Sequence, residues 1–144
     1  AGIRLAPVSP ANDSRADSNP EATYDYAVQQ LNAFNPVYIH VIEGSTQGPR
    51  EPAGGFDFQV LRRSFEGLYI ANNGYDLELA LQARRHNLAD MVAFGRLYIS
   101  NPDLVERLRV GAEFTSPDAA TFFGGGSEGY TDYPFLATPT RGAA

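Results

Sequence analysis

The feature that most constrains the fold of this sequence is a repeated alternation of short apolar segments with longer amphipathic ones. Each apolar segment leads into a turn that is rich in Gly, Pro or Asn. The four segments are residues 3–6, 37–42, 67–71 and 91–94. The second and fourth are nearly continuous apolar runs, which is typical of strands whose two faces are both covered, as in parallel sheets.

Amphipathic patterns of helical spacing separate these segments. One covers residues 21–34 after an Asn19-Pro20 start, with apolar positions at Ala22, Tyr26, Val28, Leu31 and Phe34. A second covers residues 77–86 with Asp76 as its N-cap, and a third opens at residues 101–103. This alternation predicts an α/β fold with about four parallel strands. A small open sheet fits the pattern, and so does half of a (β/α)8 barrel, since a complete barrel takes about 250 residues.

The composition restricts the chemistry that the chain can perform. The 144 residues contain no Cys and no Lys, which excludes disulfides, thiolate metal sites and a lysine nucleophile. The net charge of −6 argues against nonspecific nucleic-acid binding. No metal site can be assembled from the two histidines, His40 and His86. No apolar run is long enough to span a bilayer and no signal pattern is found, so we expect a cytoplasmic protein without a membrane partner.

Three segments in order carry a resemblance to a known family. They are FEGLYIANNGYDLELAL (residues 65–81), ADMVAFGRLYISNPDLVERLR (89–109) and TFFGGGSEGYTDYPFL (121–136). Together they resemble the last barrel strands and C-terminal tail of the Old Yellow Enzyme family of flavin-dependent ene-reductases. The opening GIRLAPVS (residues 2–9) resembles that family's fifth strand. The resemblance covers nearly the whole chain, and residues 44–56 are its least certain part.

The resemblance implies that residues 1–144 form strands five to eight of a (β/α)8 barrel that binds FMN. A complementary half would then be required, because the family's proton-donating tyrosine and its substrate-binding His/His or His/Asn pair belong to the first four strands. No catalytic residue is therefore expected in this half. The implied reaction is the reduction of an activated alkene, with NAD(P)H as the hydride donor.

Two pairs of residues that follow apolar segments are candidates for phosphate binding. Gly95 would let the backbone approach a phosphate, and Arg96 would add a charge-assisted bond, since barrels often bind phosphate after their last two strands. Asn73 and Gly74 form a short polar turn that can expose N–H groups to the same phosphate. From the residues alone, a glycine turn before a solvated arginine and an ordinary Asn-Gly turn remain open alternatives.

Three further residues are assigned to the flavin by the resemblance. Arg4 lies in an apolar strand, where a buried arginine needs a partner. The resemblance places it beside the flavin ring, and the alternative is a salt bridge, with Glu43 as one candidate. Phe122 and Phe123 would border the flavin and the substrate cavity, although simple packing explains two aromatic residues equally well.

Two other interpretations of the whole chain remain open. One is a half-barrel that associates with a second copy of itself and binds FMN or a phosphate ligand without turnover, because exposed sheet edges demand pairing. The other is a small doubly wound protein that binds phosphate. Residues 44–56 form a long Gly/Pro-rich loop that is typical of a functional lid, and Arg50 within it could meet a phosphate of NADPH.

Overall fold

The computed structural model describes residues 1–9, 17–46, 50–51, 54–124 and 126–137. The chain divides into two compact units, Ala1–Ala93 and Phe94–Ala144. The predicted loop at residues 44–56 and the C-terminal tail lie partly outside the described residues. No helix in the described part of the chain is long and apolar enough to cross a membrane.

The first unit is built on a four-stranded parallel sheet. Its strands are β1 (Gly2–Leu5), β2 (Tyr38–Ile42), β3 (Leu68–Asn72) and β4 (Met91–Ala93), and they are hydrogen-bonded in chain order. Three helices connect them: α1 (Pro20–Asn32), α2 (Phe58–Ser64) and α3 (Leu77–Arg85). The predicted parallel α/β fold is confirmed. A parallel neighbour requires a crossover connection, and each helix provides one.

All three helices pack on one face of this sheet. The buried core combines strand residues with one or more residues of each helix; its members include Ile39, Val41, Tyr69, Ala71, Val28, Leu61 and Ala83. Helices on a single face exclude a doubly wound sheet, which carries helices on both faces. Within the described residues, the opposite face of the sheet is not covered by a helix.

The face of the sheet opposite the helices, here called the open face, carries the alternate residues of each strand. Arg4, His40, Ile70 and Met91 form one row across the four strands in the parallel register. Tyr38, Leu68 and Met91 are 36%, 42% and 41% exposed. Successive side chains of a strand point to opposite faces, so an apolar run such as residues 37–42 places half of its side chains here.

Two details of the predicted helices are corrected by the structure. In α1 only Val28 is buried. Tyr26 is exposed because the helix packs on the sheet with a different face from the predicted one, and Phe34 is exposed because it lies beyond the end of the helix at Asn32. The seven-residue helix α2 was not predicted, since so short a segment shows too few turns for periodicity to appear. Its start is capped by Asp57, whose side chain accepts from the Gln59 N–H at 2.9 Å.

The second unit contains α4 (Arg96–Ser100), α5 (Leu104–Val110) and a 3-10 turn (Ala119–Thr121). The predicted helix after residues 101–103 is thus present, whereas α4 was not expected. The buried guanidinium of Arg107 donates to Asp103 at 2.6 Å and to the carbonyls of Glu113 and Pro134, both at 2.9 Å. One side chain therefore ties α5 to two distant points of the following chain.

Candidate cofactor-binding site

Four polar side chains meet around Glu43, which directly follows β2, and are here called the strand-end cluster: Glu43, Arg50, Tyr69 and Tyr75. The Glu43 carboxylate is only 5% exposed. Its Oε1 accepts from the Tyr69 hydroxyl at 3.0 Å, and its Oε2 accepts from the Tyr75 hydroxyl at 2.7 Å and from Arg50 at 2.5 Å. A buried carboxylate is tolerated only when it is paired and hydrogen-bonded, and these three donors meet that condition.

Both tyrosines of the cluster are held in the protonated form. Burial, and then the Glu43 charge, raise the pKa of Tyr75 to about 12. The same two causes raise the pKa of Tyr69 far above its ordinary value. The Arg50 guanidinium lies 4.0 Å from the centre of the Tyr75 ring, in cation–π geometry. At neutral pH the two hydroxyls therefore stay protonated and act as hydrogen-bond donors.

The Asn73-Gly74 turn lies directly beside this cluster. Both residues have positive φ, +93° and +67°, a conformation that Gly adopts freely and Asn tolerates. Asn73 is buried, and its side-chain amide donates to the carbonyls of Glu43 at 2.7 Å and Ser45 at 2.9 Å. Gly74 is exposed, and its N–H donates to no other described residue. The Asn73 side chain is thus used internally, while the Gly74 N–H is available to a ligand.

Arg4 lies on the open face beside His40, its partner in the parallel register. It is exposed and forms no ion pair with any described residue, so the expectation of a buried arginine is wrong. The alternative salt bridge to Glu43 is also wrong, because Glu43 pairs with Arg50. The Nε2 atom of His40 is buried without a hydrogen-bond partner in the described structure. Burial and then the Arg4 charge lower the pKa of His40, which favours the neutral imidazole.

The remaining predicted site residues belong to the second unit. Gly95 precedes α4 with a φ of −102°, and a Cβ there would meet no atom within 4 Å. Arg96 is exposed and forms no ion pair with a described residue. Phe122 and Phe123 meet edge to face, with ring centroids 6.5 Å apart, and Phe123 is 95% exposed. Packing within the described part of this unit therefore does not account for Phe123.

Sequence reasoning did not assemble the strand-end cluster. The sequence indicates Glu43 as a possible partner of Arg4 and Arg50 as a possible contact of a coenzyme phosphate, whereas in the structure Arg50 bonds Glu43. One sequence feature could have indicated the cluster: the carboxylate of Glu43 directly follows an apolar strand. A carboxylate that is buried in such a position requires a cationic partner. Among the described residues no group of three or more His, Asp or Glu side chains is placed to hold a metal ion.

Four parallel strands in chain order, with every crossover helix on one face, are the arrangement of consecutive strands in a (β/α)8 barrel. Comparison with solved structures agrees with this class. The old yellow enzyme from Trypanosoma cruzi matches with a TM-score of 0.82 and 33% identity, over 94% of this chain and 35% of that chain. A morphinone reductase in complex with tetrahydroNAD matches with a TM-score of 0.81 and 40% identity, over 94% and 36% of the two chains.

Sequence comparison points to the same group of proteins. A protein of Leishmania infantum named "Probable flavin mononucleotide-dependent alkene reductase" is 36% identical over 135 residues, covering 94% of this chain and 36% of the relative. No family profile matches the sequence. The chain is similar to the C-terminal part of the barrel of Old Yellow Enzyme family proteins. It spans about a third of the length of the relatives that it matches.

Proposed function

We propose that this chain supplies the FMN-binding C-terminal half of an ene-reductase that reduces activated C=C bonds with NAD(P)H. The observation that carries the proposal is the similarity, at 33–40% identity over almost the whole chain, to an old yellow enzyme and a morphinone reductase. The name of the Leishmania relative supports FMN as the cofactor, and the bound tetrahydroNAD of morphinone reductase supports a nicotinamide donor.

The residues of the first unit suit a flavin. Arg4 offers an exposed cation without an ion-pair partner in the described structure, on the face that corresponds to the barrel interior. A positive charge beside the ring system stabilises the anionic reduced flavin and so raises its reduction potential. Gly74 offers a free backbone N–H at the carboxyl edge of the sheet, which is where barrels bind their ligands.

In the second unit, Gly95 and Arg96 are proposed to hold the flavin phosphate. An exposed guanidinium without an internal partner can bind a phosphate in a bidentate manner. Phe122 and Phe123 are proposed to form an apolar wall of the flavin and substrate cavity, which accounts for the exposure of Phe123. FMN, when bound, supplies the hydride transfer between the nicotinamide and the alkene, while the protein binds, orients and tunes it.

The other half of the barrel is proposed to come from a complementary N-terminal half-barrel that covers the open face. That half would also bring the acid and the residues that hold the substrate, since none is assigned here. Exposed Tyr38, Leu68 and Met91 support such a covering partner. The same observation favours a second candidate: pairing with another copy of this chain, without turnover.

Native mass spectrometry and a visible spectrum of the intact protein test both candidates. The proposed function predicts one bound FMN, a complementary half-barrel, and NADPH oxidation that depends on an activated enone. A colourless homodimer without enone reduction would contradict it and support the second candidate. Arg96→Gln should weaken FMN binding far more than riboflavin binding. Arg85→Gln provides the matched control, because Arg85 is also exposed, lies at the end of α3 and carries no proposed contact.

A further inference from the structure

We propose that Glu43 is a positioning residue for the Asn73-Gly74 turn, and through that turn for the phosphate of the flavin. This inference rests on the proposed function, because it assigns a role to a residue that would not itself touch the cofactor.

Glu43 is bonded to the segment around the turn through its main chain as well as its side chain. Its N–H donates to the Asn72 carbonyl at 3.0 Å, and its carbonyl accepts from the Asn73 amide at 2.7 Å. Its carboxylate accepts from Tyr69 and Tyr75, which lie on either side of the turn. Glu43 is therefore bonded to Asn72 before the turn, to Asn73 within it and to Tyr75 after it.

Arg50 completes this arrangement from the other side. It neutralises Glu43, and a Cβ built on Gly74 would lie 3.4 Å from the Arg50 Cγ. The arginine side chain thus packs against the turn while its head group pairs with the carboxylate. A displacement of Glu43 would move Arg50 and the turn together, and with them the free N–H of Gly74.

The negative charge of Glu43 is essential to this network. All of its side-chain partners donate: Tyr69 and Tyr75 through hydroxyls, and Arg50 through its guanidinium. A glutamine has nearly the same shape but no charge, so Arg50 would lose its ion-pair partner, and the Tyr69 hydroxyl would have to turn and accept from the new amide N–H. Loss of a charged hydrogen-bond partner at a carboxylate that is only 5% exposed weakens the hold on Arg50 and should let the turn shift.

The test measures how strongly the intact protein prefers FMN to riboflavin, because only FMN carries the phosphate. The apoprotein is prepared, and the dissociation constants of both flavins are determined by quenching of flavin fluorescence. In Glu43→Gln the hydrogen bond from the Gly74 N–H to the phosphate should be misplaced. Because a hydrogen bond to a charged group is among the stronger ones, we expect the preference of this variant for FMN to fall about tenfold. Riboflavin binding should change much less.

Asp90→Asn is the matched control. Asp90 also pairs with an arginine, Arg62 at 3.0 Å, and accepts from the Tyr69 N–H at 2.8 Å. It lies at the amino end of β4, at the opposite end of the sheet from the turn. Asp90→Asn should lower the stability of the first unit and leave the preference for FMN unchanged. The control thus distinguishes general loosening of the sheet from displacement of the Asn73-Gly74 turn.

Tyr75→Phe serves as a second variant if Glu43→Gln does not fold. It retains the ring under Arg50 and the buried ion pair, and should reduce the preference in the same direction by a smaller factor. If the wild-type protein prefers FMN and both variants keep that preference, the role of Glu43 is refuted while the proposed function stands. If the wild-type protein binds both flavins equally, the phosphate contact at the turn and this role of Glu43 are refuted. If it binds no flavin, the proposed function fails and this role fails with it.

Discussion

Removing the Tyr69 hydroxyl tests how the buried carboxylate of Glu43 is held. Tyr69→Phe keeps the ring, which is fully buried in the core, so no cavity is created. The change deletes one hydrogen bond of 3.0 Å to a carboxylate that is only 5% exposed. A hydrogen bond to a charged group contributes about 1.5–3 kcal/mol, so we expect the free energy of unfolding to fall by about 2 kcal/mol.

Urea unfolding of the intact protein, followed by far-UV circular dichroism, measures this change. With a denaturant slope of about 2 kcal/mol per molar urea, the midpoint of the transition that reports on the first unit should fall by about 1 M. Tyr26→Phe is the control, because Tyr26 is 66% exposed and its substitution should change stability by less than about 0.5 kcal/mol. If the two variants unfold at the same midpoint, the Tyr69 hydroxyl does not support Glu43 and the reasoning is refuted.

Three further predictions follow from other parts of the structure. Leu61→Ala removes a fully buried side chain of the core and should lower the free energy of unfolding by about 2–5 kcal/mol in the same urea assay; a loss below about 1 kcal/mol would contradict the packing. Asn73→Ala should destabilise the first unit more than Asn73→Gly, because both lose the amide donors but only glycine adopts a φ of +93° freely; the reverse order would count against the turn geometry. The Leu136 N–H, and then Arg107, lower the pKa of Asp103 in the folded protein. The stability that ionised Asp103 contributes is therefore fully present above the ordinary carboxyl pKa. It is lost as the pH falls through the pKa that Asp103 has in the folded protein. Asp103→Asn should make the acid limb of a stability–pH profile shallower, and an unchanged limb would exclude this role.

The sequence by itself determined the class of the fold and the family that the chain resembles. Four short apolar segments alternate with helical patterns in the sequence. Few arrangements other than parallel strands joined by crossover helices bury the apolar residues of both, so the alternation predicts this arrangement. Asp76 was correctly predicted as a cap, since its side chain accepts from the Leu79 N–H at 2.8 Å. Such features depend on neighbours in the chain, and local sequence therefore encodes them.

The tertiary structure alone decided which strand residues are covered and which polar groups meet. Whether Arg4 is buried depends on what lies across the sheet, and the spacing within β1 contains no information about that. Glu43 and Tyr75 are 32 residues apart, yet they bond because β2 and β3 end at the same edge. Contacts of this kind arise when parallel strands align in register. The periodicity of apolar residues along the chain predicts where the strands are, but it does not predict which side chains meet at their ends.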